Sequence, residues 1–118
     1  VFMANGENLV SGKELEAYFH ECMPLFIALG DEMRLKIIEV LSHAARSGNP
    51  DGLNVNEITK QVSLSRPAIS HHLKILKNSG LVHVRESGTS NYYRLTLRDS
   101  TQQLMKLGFM VEQILSPE

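Results

Sequence analysis

The run Ser65-Arg66-Pro67-Ala68-Ile69-Ser70-His71-His72-Leu73-Lys74-Ile75-Leu76-Lys77-Asn78-Ser79-Gly80 decides how the rest of the chain is read. Ser65 is a side chain that accepts from the free N–H groups of a first helical turn. Pro67 sits inside that turn, where a missing N–H costs nothing. Ile69, Leu73 and Leu76 recur at helical spacing and define one buried stripe. Gly80 stands where a helix closes through a left-handed cap. What the stripe leaves outward is polar or cationic: Arg66, Ser70, His71, Lys74 and Lys77.

The flanks of this run complete a pattern. Before it, Asn54-Val55-Asn56-Glu57 reads as the cap of a short helix with Ile58 and Val62 inward, and Val62-Ser63-Leu64-Ser65 as a tight turn. After it, Leu81–Arg85 and Tyr92–Thr96 read as two strands around a tip at Ser87–Asn91. Two short helices, a turn and a hairpin form a winged helix-turn-helix, the arrangement that presents a second helix to the DNA major groove.

Upstream, Ser11-Gly12-Lys13-Glu14 is a capping box. It opens a helix with Leu15, Tyr18, Phe19, Cys22, Met23, Phe26 and Ile27 at helical spacing, kinked at Pro24. Gly30-Asp31 ends that helix and caps the next, whose expected core stripe is Leu35, Ile38, Leu41 and Ala45. Ser47-Gly48-Asn49-Pro50-Asp51-Gly52 is a loop. Asp99 or Ser100 is expected to cap a last helix carrying Leu104, Leu107, Met110, Val111, Ile114 and Leu115. The expected fold is mainly α with a small β-hairpin, in the order ααααββα. It forms a single domain over residues 11–116, with residues 1–10 flexible.

With 118 residues the chain suffices for one domain with a modest core. It contains no apolar run of the roughly 18 residues a membrane span needs. Its first residues have no basic run leading into an apolar stretch, so no secretory signal is expected. The single cysteine, Cys22, excludes a disulfide within the chain and points to a reducing compartment, the cytoplasm. The net charge of -1 hides a strong segregation. Residues 1–57 hold four basic and nine acidic side chains, residues 58–98 seven basic and one acidic, and residues 99–118 one basic and three acidic. The basic block coincides with the helix-turn-helix and hairpin, the footprint of a phosphate-binding face.

The chemistry of that face follows from its residues. Arg66 can bond guanine O6 and N7 in bidentate fashion, and Pro67 offers an apolar contact to a thymine methyl. Ser65, Ser70 and His71 can meet base edges or phosphates. Lys74 and Lys77 lie further along the helix and suit phosphates. Arg85 is the cation near the hairpin tip, where Ser87, Thr89, Ser90 and Asn91 are weak donors. His72 is expected to pack against the scaffold.

These segments resemble the ArsR-type (arsenic-repressor-like) family of bacterial winged-helix repressors. The likeness rests on Ala28-Leu29-Gly30-Asp31-Glu32-Met33-Arg34-Leu35-Lys36-Ile37-Ile38, on Leu64–Leu76, on Ser79-Gly80-Leu81-Val82 and on Tyr92-Tyr93-Arg94-Leu95. It covers roughly residues 15–115. It implies a homodimer built on the first and last helices, binding an inverted repeat in double-stranded DNA and released by an inducer. The wide apolar faces of those two helices point the same way.

The chain departs from the family at its sensing positions. Where many relatives place a cysteine pair, it has Asn54-Val55-Asn56-Glu57, and asparagine is a poor ligand for thiophilic ions. Asp99 matches one ligand of a second family site, but Thr101, Glu112 and Leu115 stand in the region where histidines would sit. His20 and Cys22, two residues apart on a helix, do not share a face. No metal or cofactor is expected, and the inducer is left open. Two other readings compete: a winged helix used for protein or RNA contacts, and a redox-responsive repressor using Cys22. An enzyme is disfavoured, since no nucleophile–base–orienter set and no phosphate-cradling glycine loop is present.

Overall fold

The computed structural model describes residues 10–115. The flexibility expected for residues 1–9 and the domain end at residue 116 fall outside the described residues. The elements are α1 (Gly12–Glu21), α2 (Met23–Leu29), α3 (Glu32–Arg46), α4 (Val55–Thr59), α5 (Arg66–Asn78), β1 (Val82–Ser87), β2 (Ser90–Leu95) and α6 (Arg98–Leu115).

The expected first helix is two helices. Cys22 ends α1 by donating its N–H to Tyr18 and Phe19 carbonyls, and α2 begins at Met23 with Pro24 in its first turn. Pro24 lacks the N–H a continuous helix would use there, so the chain breaks rather than kinks. The caps of the other helices follow the sequence. Ser11 and Glu14 form a reciprocal capping box, as do Asn54 and Glu57. The Asp31 carboxylate accepts from the N–H of Met33 at 2.9 Å and of Arg34 at 3.1 Å. α5 closes through a Schellman pair, with Leu81 N–H bonding Leu76 O and Gly80 N–H bonding Lys77 O. The expected cap of α6 is wrong. Both Asp99 and Ser100 lie inside the helix, whose first turn is closed by Thr101 N–H on the Leu97 carbonyl.

The core gathers Ile37 and Leu41 of α3, Ile58 of α4, Ile69, Leu73 and Leu76 of α5, and Leu25, Val62, Leu81 and Val82 around them. The stripe on α3 differs from the expected one. Arg34, Ile37, Leu41 and Ala44 are buried, while Leu35 and Ala45 are exposed. Both phases contain enough apolar residues to satisfy helical periodicity, and the neighbouring elements choose between them.

β1 and β2 pair antiparallel from Val82↔Leu95 to Ser87↔Ser90. The tip is therefore Gly88-Thr89, and Ser87, Ser90 and Asn91 belong to the strands. Leu81 and Thr96 lie outside the strands but tie the hairpin base to the end of α5, through Thr96 N–H to Leu81 O and Thr96 Oγ1 to Gly80 O. Leu53 adds an antiparallel bridge to Tyr93, exchanging N–H···O bonds of 3.0 and 2.8 Å. That bridge pins the hairpin beside the entry to α4. α6 lies against α1, where Tyr18 Oη donates to the Gln103 carbonyl at 3.2 Å. No described helix is long and apolar enough to cross a membrane.

Candidate nucleic-acid interface

α5 is held to the core along one line. Ile69, Leu73 and Leu76 are each fully buried. The opposite face carries Arg66, Pro67, Ser70, His71, Lys74 and Lys77, all exposed, as is Ser65 at the cap. Ser65 Oγ accepts from the Ala68 N–H, so its hydroxyl is engaged in starting the helix. Seven of the eight residues singled out from the sequence thus share one helix and its entry. Arg66 and Ser70 also border a polar hollow of about 240 Å³ between α4, α5 and the hairpin, to which Asn54, Asn56, Thr89 and Asn91 contribute. Nothing in the sequence around Asn54 and Asn56 marks them as part of this surface. Their approach depends on the Leu53–Tyr93 bridge, which has no local sequence signal.

Arg85 is the residue the structure sets apart. The β1–β2 register places it opposite Tyr92 on the outer face of the hairpin, with its guanidinium carbon 5.0 Å from the Tyr92 ring centroid. It borders a separate hollow that also contains Asp51 and Glu57. It does not join the Arg66–Ser70–His71 group.

His72 points inward, as expected, but its partner was not anticipated. Arg34 of α3 is 8% exposed, and its Nη1 lies 3.1 Å from His72 Nδ1. Its other donors reach the Ala28 carbonyl at 2.8 Å and the Ile27 carbonyl at 3.0 Å, at the end of α2. A buried guanidinium is tolerated here because its donors face acceptors, two of them at the negative end of a helix. Asp31 lies 3.9 Å away. The backbone N–H of Arg34, the Arg34 charge and the Met33 N–H hold the Asp31 carboxyl below the ordinary range, against a smaller opposing effect of burial.

Within one subunit the side chains weighed as ligands lie apart or are otherwise engaged. The Asn54 side chain accepts from Glu57 N–H at 2.8 Å, and Glu57 Oε1 accepts from Asn54 N–H at 2.9 Å. Both groups are thereby engaged in capping α4. His20 is exposed while Cys22 is fully buried. Burial pushes the Cys22 thiol up, partly offset by the neighbouring Tyr18 hydroxyl. Among the described residues no three His, Cys, Asp or Glu side chains converge as a metal site would require.

A helix-turn-helix with a hairpin wing and an outward cationic second helix defines a winged helix-turn-helix DNA-binding protein. The family model described as "Bacterial regulatory protein, arsR family" matches residues 31–84. An HTH-type transcriptional regulator of Methanocaldococcus jannaschii is 35% identical over 89 residues, 75% of this chain and 92% of that one. The transcriptional repressor SdpR of Bacillus subtilis is 31% identical over 84 residues, covering 69% of this chain and 86% of its own. The reduced form of HlyU from Vibrio cholerae superposes with a TM-score of 0.61 at 26% identity, over 88% of this chain and 98% of that one. The chain belongs to the arsR family of bacterial regulatory proteins and is a transcriptional regulator, not an enzyme.

Proposed function

We propose that this regulator is a homodimeric repressor that reads an inverted-repeat operator through α5. The observation that carries this reading is the division of α5 into a fully buried apolar line and an exposed face holding Arg66, Pro67, Ser70 and His71 at its N-terminal end. Helix-turn-helix proteins contact base edges with that end. Arg66 and His71 read bases, with Ser70 and the apolar ring of Pro67 beside them. Lys74, Lys77 and, from the wing, Arg85 meet phosphates, and Ser65 holds the start of the helix.

Dimer formation is supported by apolar side chains that one subunit leaves uncovered. Phe19 of α1, Met23 and Ile27 of α2, and Leu104, Met105 and Leu115 of α6 are all exposed, Met105 and Leu115 to 69%. Exposed apolar side chains on α1, α2 and α6 suit burial against a second copy of this chain. A two-fold partner would set two copies of α5 into major grooves roughly 34 Å apart. Repression accords with the name of SdpR. The engaged Asn54–Glu57 cap supports a chain without the family's cysteine-pair metal site.

The test is selection of bound duplexes from random DNA, followed by Arg66→Ala and His71→Ala. Each substitution is expected to relax one base pair per half-site by about 1–3 kcal/mol. Equal loss on selected and random duplex would remove the base-reading assignment. A selected site without two-fold symmetry would remove the dimer.

A further inference from the structure

We propose that His72 is a positioning residue for sequence reading: Arg34 fixes its ring, and that ring sets the orientation of His71 on the DNA-facing surface. The inference rests on the reading of α5 given above. An arginine side chain has N–H donors and no acceptor. The 3.1 Å contact from Arg34 Nη1 therefore makes His72 Nδ1 the acceptor and leaves the ring proton on Nε2. Neither ring flip nor tautomer exchange preserves that bond.

Arg34 is itself immobile. Its Nε and Nη2 are bonded to the Ala28 and Ile27 carbonyls, and its side chain is nearly enclosed. The guanidinium thus bridges the end of α2 to the inner side of α5. Leu73, which follows His72, is locked in the core, so the helix cannot rotate to relieve a lost contact. The ring of His71 stands 5.7 Å from that of His72, tilted by 57°. This is the range of tilted aromatic packing. A fixed His72 ring consequently limits the rotamers open to His71, which is exposed and free of other described ring contacts.

The experiment compares His72→Leu with His72→Asn on the full chain. Asparagine places Oδ1 the same number of bonds from Cβ as Nδ1, so it retains the acceptor for Arg34. Leucine removes it. The readout is the ratio of affinities for the selected duplex and a random duplex of equal length. Partial unfolding lowers both affinities alike and leaves the ratio untouched. His72→Leu is expected to lower the ratio about tenfold, and His72→Asn to keep it within about threefold of the parent. An unchanged ratio in His72→Leu, or equal loss in both variants, overturns the positioning role while leaving the functional reading intact. A parent protein that discriminates no duplex overturns both.

Discussion

Gly52 and Gly48 share a φ of +97° but differ in what surrounds them. A Cβ on Gly52 would overlap the backbone carbonyl of Tyr93, while a Cβ on Gly48 meets nothing within 4 Å. The pair separates backbone strain from steric overlap. Placing alanine at this φ costs about 1–2 kcal/mol, offset in part by a stiffer unfolded chain worth about 0.4–1 kcal/mol. Gly48→Ala is therefore expected to cost roughly 1 kcal/mol. At Gly52 the obstacle is backbone, so the Leu53–Tyr93 bridge must open. Its two hydrogen bonds contribute about 0.5–1.5 kcal/mol each, and Leu53, now 4% exposed, loses cover. Gly52→Ala is then expected to cost about 2–4 kcal/mol in total. For a domain with roughly 5–15 kcal/mol of stability, both variants stay folded at 25 °C. Urea unfolding followed by circular dichroism measures the difference, with unchanged m-values expected. Costs equal to within about 0.5 kcal/mol would refute the claim that close approach to Tyr93, rather than φ alone, requires glycine at position 52.

Three further outcomes follow from the structure. Because the folded-state pKa of Asp31 is lowered, its charge stabilises the fold above the ordinary aspartate range, and that contribution disappears as pH falls through the folded value. The Tm advantage over Asp31→Asn should accordingly shrink below about pH 4, and a constant difference from pH 7 to pH 2 would contradict the sign. Cys22, buried with a raised pKa, should react with a thiol reagent at neutral pH far more slowly in the native protein than in urea, and comparable rates would show that it is accessible. The double variant Leu104→Glu, Met105→Glu is expected to sediment as a monomer with little loss of helix content, because both side chains are exposed within one subunit. A dimer of unchanged stability would exclude that part of α6 from the interface.

Much of the candidate interface was legible because its signals are local. Ser65, Pro67 and Gly80 mark the ends of α5, and Ile69, Leu73 and Leu76 leave one face outward by periodicity alone. The capping boxes at Ser11 and Asn54 are equally local, since each involves residues three apart. Local signals are ambiguous where two solutions are close in energy. Leu35 and Ala45 fit a helical stripe as well as Ile37 and Ala44 do, and Asp99 and Ser100 look like caps even inside a helix. Serine and asparagine suit turns, so composition suggests a longer hairpin tip, yet the backbones of Ser87, Ser90 and Asn91 complete the ladder.

What the sequence determined by itself is the order of the elements, apart from the break at Cys22, and the identity of the helix whose polar side is not needed by the core. These depend on capping, periodicity and charge along a few successive residues. Tertiary structure alone decided which face of α3 is buried, that Arg34 joins the end of α2 to His72, that Leu53 pairs with Tyr93 across Gly52, and that Arg85 borders a different hollow from Arg66. Each of these depends on groups far apart in the chain meeting at hydrogen-bond or van der Waals distance, and no spacing within a single helix or strand encodes such a meeting.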